Sequence, residues 1–347
     1  MNRNKKLINL QLFAYNTNVT TDTGMSPEMK TYYEKELIRL AQPKLIHDQF
    51  ADKKDIPANN GKVIEFRLFN PLPKALTPLT EGVTPDGLKV TTDYLTAEVS
   101  QYGSYVPYSD VLSWTTIDPV ILEFTKLSAN QAGLTLDTIT RDAINAGTQV
   151  NYSGGRSSRS QIQATDTLSI EDLECAAAIL KGSNTPEIEG GGYAAICHPY
   201  VVYDLRRSSE FIEWHKYASP EELYNGEVGR IGDVRIIDSS EAKIWCDDTC
   251  PVISEAVPAA GSTPAQPAVY RSIFSTLVVG AGAYATTKLT NGGLQQIIKP
   301  IGSGDDPLNQ RGTIGWKATK VAEILVDAYM VRIESASKFS QRVTANN

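Results

Sequence analysis

The chain has 347 residues, 41% hydrophobic and 21% charged, a composition that folds at a length beyond the roughly 250 to 300 residues that one hydrophobic core usually serves. Lys and Arg number 33 against 40 Asp and Glu, a formal charge of −7, which rules out a protein held chiefly by phosphate backbones. Four cysteines without a C-x-x-C pair rule out a disulfide framework and fit a reducing compartment, and no run approaches the ~18 apolar residues of a membrane span.

The chain begins with Arg3, Lys5 and Lys6, its only concentrated basic run, for which a solvated terminus is the ordinary role. The stretch "NRNKKLINLQLFAY" imitates a secretory leader, but Asn9 and Gln11 interrupt the ~7 to 15 apolar residues that a leader needs. Ile8, Leu10 and Leu12 alternate instead, which predicts an extended arm with one apolar edge. "SPEMKTYYEKELIRLA" then predicts a helix, with Ser26 as N-cap, Pro27 at the first helical position and Glu28 in the first turn. Tyr33, Leu37, Leu40 and Ala41 give its apolar stripe, and Pro43 ends or kinks it.

From Gly61 the period changes to two. Ile64, Phe66 and Leu68 alternate with Glu65 and Arg67, and a second run alternates Leu95, Ala97 and Val99 with Thr96, Glu98 and Ser100, continuing to Tyr105. Between them lies "NPLPKALTPLTEGVTPDGLK", whose Pro71, Pro73, Pro78 and Pro85 cannot donate to a sheet ladder. Two strands joined by about twenty Pro-rich residues cannot bury a core of their own, so the hairpin is either a long functional loop or an extension that needs a neighbour.

"DPVILEFTKLSANQAGLTLDTITRDAINAG" predicts the longest helix, capped by Asp118, opened by Pro119 and ended by Gly147. Its expected stripe is Val120, Phe124, Leu127, Gln131, Leu134 and Ile139. About thirty residues make a rod of roughly 45 Å, unusually long for a compact enzyme. Beyond it, "SIEDLECAAAILKG" carries a capping box at Ser169 and Asp172, "YAAICHP" reads as a short buried strand, and "PYVVYDLRRSSEFIEW" as a helix opening on proline. "GRIGDVRIIDSS" reads as turn then strand, Pro251 to Pro267 as a Pro/Ala/Ser-rich surface excursion, and Tyr329, Val331 and Ile333 as a closing strand. The class is mixed α+β.

The candidate chemistry is sparse. "IFSTLVV" followed by "GAGAYATT" imitates a dinucleotide loop at Gly280 to Ala285, which demands a following helix and an acidic residue about twenty positions on. "TTKLTNGGLQQ" is a poor helix start, and Asp305 and Asp306 sit in a Gly/Pro loop. Glycines serving a tight turn or close backbone packing are the simpler reading. Cys197 and His198 are sequence neighbours that point apart on a strand, so helix capping suits His198 better than catalysis. His47, His198, His215, Cys246 and Cys250 lack zinc spacing. The carboxylates at Asp142, Glu171, Asp172, Glu221, Glu222, Asp305 and Asp306 read as solvated or capping, and no P-loop, nucleophile elbow or H-E-x-x-H motif occurs. No enzyme activity, cofactor or metal is expected. A nucleotide-binding oxidoreductase using the Gly280 to Ala285 loop, or an exported binding module bridged between Cys246 and Cys250, stands as the alternative.

The order of parts, with "NLQLFA" (Asn9 to Ala14), "GEVGRIGDVRIIDSS" (Gly226 to Ser240), "STLVVGAGAYA" (Ser275 to Ala285) and "DPLNQRGTIGWKATKVAEIL" (Asp306 to Leu325), resembles the major capsid proteins of tailed bacteriophages. The likeness is to the family typified by coliphage N-four, with the Hong Kong ninety-seven fold. The resemblance implies an N-terminal arm over 1–30, a peripheral domain over 31–55 and 111–189 with a spine helix at 118–147, and an extended loop over 56–110. It further implies an axial domain over 190–305 with an insertion at 247–270, and a return to the peripheral domain over 306–347.

On this resemblance the function is that of a structural virion protein. Copies would assemble as pentamers and hexamers into an icosahedral shell around packaged double-stranded DNA, bound without sequence specificity and without a membrane. Assembly would take place in the host cytoplasm, with scaffold, portal and decoration proteins as further partners. Leu10, Leu12, Phe66, Leu68, Lys74 and Lys89 are the candidate assembly residues, and Arg3, Lys5 and Lys6 would face DNA if the arm points inward. Some relatives crosslink a loop lysine to a neighbour's asparagine. No motif around Lys74 or Lys89 licenses that chemistry here.

Overall fold

The computed structural model describes residues 45–55, 62–69, 72–79, 81, 82, 84, 86–115, 120–208, 227–254, 268–288, 294–302, 306–341 and 345. The arm, the helix expected at 26–41 and most of the Pro251 to Pro267 excursion lie outside them, as do Asp118 and Pro119.

The first half of the described chain carries β1 (Asp52–Lys54), β2 (Val63–Phe69), β3 (Thr92–Glu98) and β4 (Ser100–Ser109), then α1 (Asp110–Thr115), α2 (Val120–Ile144) and β5 (Val150–Tyr152). The middle carries α3 (Ile170–Gly182), β6 (Tyr193–Cys197), α4 (Pro199–Arg206), β7 (Glu227–Ile231), β8 (Val234–Asp238), β9 (Ile244–Trp245), β10 (Val252–Ser254) and β11 (Val269–Tyr270). The remainder is strand: β12 (Ile273–Val279), β13 (Tyr284–Thr287), β14 (Leu294–Lys299), β15 (Arg311–Lys320), β16 (Ala322–Ile324) and β17 (Met330–Ser335).

The largest sheet runs in the order β5-β17-β12-β6-β8-β7, with β9 pairing the start of β12. Every residue of β12 and β6 is buried, the pattern of central strands covered on both faces. Alternation along β6 shows the two covers. Tyr193, Ala195 and Cys197 meet Leu173, Ala176 and Leu180 of α3 and Val201 and Leu205 of α4, whereas Ala194 and Ile196 share the opposite cluster with Ile144 of α2, Phe50, Tyr284 and Met330. Local chemistry fixes both covering helices. Ser169 Oγ accepts from Asp172 N at 3.1 Å and Asp172 Oδ2 from Ser169 N at 3.1 Å, closing the expected capping box. His198 Nδ1 accepts from Tyr200 N at 3.2 Å ahead of Pro199. The closing strand, which the resemblance groups with 306–347, pairs along β12 from Phe274↔Ser335 to Val279↔Met330.

A smaller sheet, β14-β15-β4, carries α2 on one face. Its ten-pair β15–β4 ladder runs from Arg311↔Ser109 to Lys320↔Ser100. The alternating run expected to continue from Leu95 to Tyr105 therefore divides at Val99. β3 pairs with β2, β4 crosses to β15, and Val99 N donates to Lys62 O at 2.8 Å.

Helix α2 lies over Val120–Ile144, but of its expected inward stripe Ile139 packs on the sheet cluster and Gln131 Oε1 accepts from Trp316 Nε1 at 3.2 Å, whereas Phe124, Leu127 and Leu134 do not form the contact side. Thr125, Ser128, Ala129, Ala132, Leu136 and Thr140 are buried, while Leu127 is 62% exposed and Phe124 and Leu134 are half-buried. Alanine and serine let the helix approach the sheet closely. The threonine hydroxyls are satisfied, Thr125 on Ile121 O at 2.7 Å within the helix and Thr140 on Asp48 at 2.6 Å beyond it. Apolar spacing alone therefore missed most of the contact side of this helix.

A buried polar joint ties residues 45–50 to both layers. His47 N and Nδ1 donate to the two Asp137 carboxylate oxygens at 2.8 and 2.7 Å. Asp48 pairs with the fully buried Lys320 ammonium, and Tyr284 donates its hydroxyl to His47 O.

Candidate assembly surfaces

Hairpin β2–β3 has a dry root and an apolar tip. Its register, from Val63↔Glu98 to Phe69↔Thr92, puts Ile64, Phe66 and Ala97 on one face, where they pack with Ala285 and Val321. Phe66 is 1% exposed, with the Lys54 ammonium 5.1 Å from its ring centroid. This corrects its place among the assembly candidates, because its apolar surface is used inside the subunit. Leu68 lies on β2 opposite Asp93, and its side chain is outside the described residues.

Beyond the strands, Leu76 is 83% and Leu79 77% exposed, and Leu72, Leu88 and Val90 are exposed with them. Lys74 and Lys89 are solvent-facing in the same stretch. Leu10, Leu12, Arg3, Lys5 and Lys6 are outside the described residues.

The smaller sheet presents a second surface. On the face away from α2, Tyr105 is 70% exposed beside exposed Ile297. A groove of about 510 Å³ runs there, lined by Tyr105, Ile297, Lys299, Gly315 and Lys317 among others. A third surface is the β10–β11 ladder, which bears exposed Val252, Ile253 and Val269 at the root of segment 255–267.

The glycine-rich stretch is committed elsewhere. Gly280 N donates to Tyr329 O and Ala281 N to Pro186 O, both at 3.0 Å, so these amides are not free to cradle a phosphate. A Cβ on Gly280 would lie 2.2 Å from Thr185 Cγ2, and Gly282 turns the chain at φ +72°. The turn leads into strand β13 and not into a helix, so the dinucleotide geometry is absent.

The other candidate chemistry dissolves in the same way. Burial pushes the Cys197 thiol up to about 12 and Cys250 up to about 11, the reverse of an activated nucleophile. Burial also pushes His198 down to about 4, and its ring packs against Tyr200 and Phe274 at 4.7 and 5.2 Å. Cys246 and Cys250 are free thiols, with Sγ atoms directed to Tyr270 O and Asp247 Oδ1; the bridge of the exported-module alternative is not formed. Among the described residues, no group of three His, Cys, Asp or Glu side chains is placed to hold a metal, and no helix is long and apolar enough to cross a membrane.

One cluster carried no sequence signal. Glu334, fully buried, accepts from both arms of Arg159 at 2.6 and 2.7 Å and is ion-paired with Arg332 at 3.0 Å. The Trp245 ring lies 3.9 Å from one guanidinium and 5.3 Å from the other. These residues are scattered from 159 to 334: Trp245 lies on β9 and Arg332 and Glu334 on β17, both paired with β12, and Arg159 reaches them from a 3-10 turn over Arg159–Gln161.

No protein-family model matches the chain, and no curated protein does. Solved structures do. The capsid of Ralstonia phage GP4 superposes with a TM-score of 0.60 at 14% identity, over 84% of this chain and 88% of the other. The capsid of cyanophage P-SCSP1u gives 0.58 at 16%, with the same two coverages. The chain has the Hong Kong ninety-seven capsid fold. That fold is not confined to viruses here, since the SrpI encapsulin of Synechococcus elongatus PCC 7942 matches at 0.52 and 12% identity, over 94% of this chain and 95% of the other. Within the fold, the tip of the Pro-rich hairpin, the sheet face beside Tyr105 and the β10–β11 ladder leave apolar side chains exposed among the described residues.

Proposed function

We propose that this chain is the major capsid protein of a tailed bacteriophage, a structural protein whose copies close into an icosahedral shell around double-stranded DNA. The observation that carries this reading is the hairpin tip. Five large apolar side chains lie exposed on a stretch without a core, on a fold shared over most of its length with phage capsid chains. Large apolar side chains exposed together in one short stretch point to an interaction site, and many weak copies of one contact suffice for a closed assembly.

In this reading, residues 1–30 are an arm, 56–110 a loop lying over a neighbouring subunit, 118–147 the spine of a peripheral domain, and 190–305 an axial domain with an insertion at 247–270. Residues 306–347 return to the peripheral domain. Leu10, Leu12, Lys74 and Lys89 belong to contacts between copies grouped as pentamers and hexamers, and Leu68 is a further candidate. Arg3, Lys5 and Lys6 touch DNA from an inward arm. Scaffold, portal and decoration proteins are the further partners, and assembly takes place in the bacterial cytoplasm.

Electron microscopy of the purified chain tests the reading. Closed shells or capsomers are expected, and shells purified from infected cells should protect double-stranded DNA from nuclease. A strictly monomeric chain would sink the proposal. Shells that enclose a protein cargo and no DNA would move it to the encapsulin type.

A further inference from the structure

The face of the smaller sheet turned away from α2 carries an unusual charge. Leu294, Trp316, Ala318 and Tyr102 pack towards α2, so strand alternation turns Tyr105, Ile297, Lys299, Arg311 and Lys317 to the other side. β4, β14 and β15 hold no aspartate or glutamate, in a chain whose formal charge is −7. The register builds a notch at the centre of this face. Tyr105, Gly315 and Ile297 stand in one cross-strand row. Gly315 takes no side chain, because a Cβ there would lie 2.8 Å from Ser104 O and from Tyr105 Cβ. Exposed Tyr105 and Ile297 are thus two apolar walls over a bare backbone floor. The neighbouring rows place Lys317, opposite Gln295, on one side of the notch and Lys299, opposite Thr313, on the other.

The hairpin tip has the complementary pattern. Leu76 and Leu79 are exposed, and from Ala75 to Leu88 the only charged residues are Glu81 and Asp86, both solvent-facing. The rows of Lys317 and Lys299 are four residue steps apart on β14, about 13 Å along the strand. Five residue steps from Glu81 to Asp86 reach at most ~18 Å, so the two acids can address both lysines. Tip and notch do not meet within one subunit, since both stay exposed in the same chain. The root holds them apart, because β3 is laddered to β2 and its Ala97 packs with Ala285 and Val321. An acidic apolar tip and a basic apolar notch on one chain are complementary between copies, and a contact of two different patches is the kind that closes into rings.

We infer that the notch between Tyr105 and Ile297 receives Leu79 from the hairpin tip of a second copy, with Glu81 and Asp86 set against Lys317 and Lys299. This seat rests on the shell reading for its neighbouring copies, and adds to it the receiving surface and the charges that select it.

Charge exchange in the full chain, read by electron microscopy, tests it. Lys299→Glu with Lys317→Glu should lower the yield of shells at least about tenfold, because like charges then face each other across the contact. Glu81→Lys with Asp86→Lys should do the same, and the chain carrying all four changes should regain shells. Each unassembled variant should keep its thermal midpoint within about 2 °C, as surface substitutions do. Normal yield from the lysine pair would show the notch to be free, and normal yield from the acidic pair would give it to another occupant. Either result, or a fourfold variant that stays without shells, overturns the inference and leaves the shell reading standing. An unsubstituted chain that remains monomeric removes both. Leu79→Cys with Ile297→Cys should bridge between chains in oxidised shells, and this pair decides the matter if a charge variant melts lower. A bridge within one chain, or none, would overturn the seat.

Discussion

At Gly280 and Gly282 two different constraints sit two residues apart. Gly280 lacks room for any side chain, since its Cβ would press on Thr185 Cγ2 and Pro186 O; Gly282 has room but a backbone at φ +72°. Gly280→Ala should therefore cost about 1–3 kcal/mol by overpacking and Gly282→Ala about 1–2 kcal/mol by backbone strain, both read by denaturant titration of unassembled protein. Neither should alter nucleotide retention, because the Gly280 and Ala281 amides already serve Tyr329 and Pro186; saturable NAD binding lost in either variant would contradict this. His198 gives a pH dependence of definite sign. Its folded pKa, near 4, lies below the ~6.5 of a free histidine, so the unfolded chain takes up the proton first. The stability it contributes is complete above pH ~6.5, falls as the pH drops towards 4, and changes no further below. His198→Asn keeps an N-cap acceptor and should flatten the stability–pH curve by about one proton across that interval. An unchanged slope would show that another group titrates there.

Among the elements, the hairpin divides into a root that belongs to the subunit and a tip that does not. Phe66→Ala should destabilise the root by about 3–5 kcal/mol, seen as faster hydrogen exchange in β2 and β3, because Phe66 fills the space between Ala285, Val321 and Ala97. Exchange unchanged from the unsubstituted protein would return Phe66 to the assembly surface. The same elements show how far the sequence could be read. Caps at Ser169 and His198, the buried run of β12 and the hairpin pairing arise from local chemistry and periodicity, and all were legible. The face of α2 was not, because its contact side is written in Ala, Ser and Thr, whose value lies in close approach and in hydroxyls satisfied by Asp48 and Ile121. The division of the run at Val99 was hidden because two strands of the same period succeed one another without a turn residue. The Arg159, Arg332 and Glu334 cluster was invisible because Arg159 lies 175 residues before Glu334 and reaches it from a turn outside the sheet.

For the whole molecule, the decisive asymmetry is between surface used within the subunit and surface left open. Leu76 and Leu79 make almost no contact with the described chain, so replacing them should change subunit stability by no more than about 0.5 kcal/mol. If the tip instead lies against another copy, each replacement introduces an unpaired charge into an apolar contact, and closed assembly multiplies that cost over every subunit. Leu76→Asp with Leu79→Asp should therefore keep the thermal midpoint of the unassembled chain while abolishing shells in electron micrographs. Thr77→Ala, a change at an exposed position between the two leucines that adds no buried charge, should still permit assembly. Shells of normal yield from the double variant would remove the tip from the contact and leave the groove beside Tyr105 and the β10–β11 ladder as the surfaces to alter next. A lowered midpoint would mean instead that the tip packs within its own subunit, and that the apolar exposure of the isolated chain is not its assembly surface.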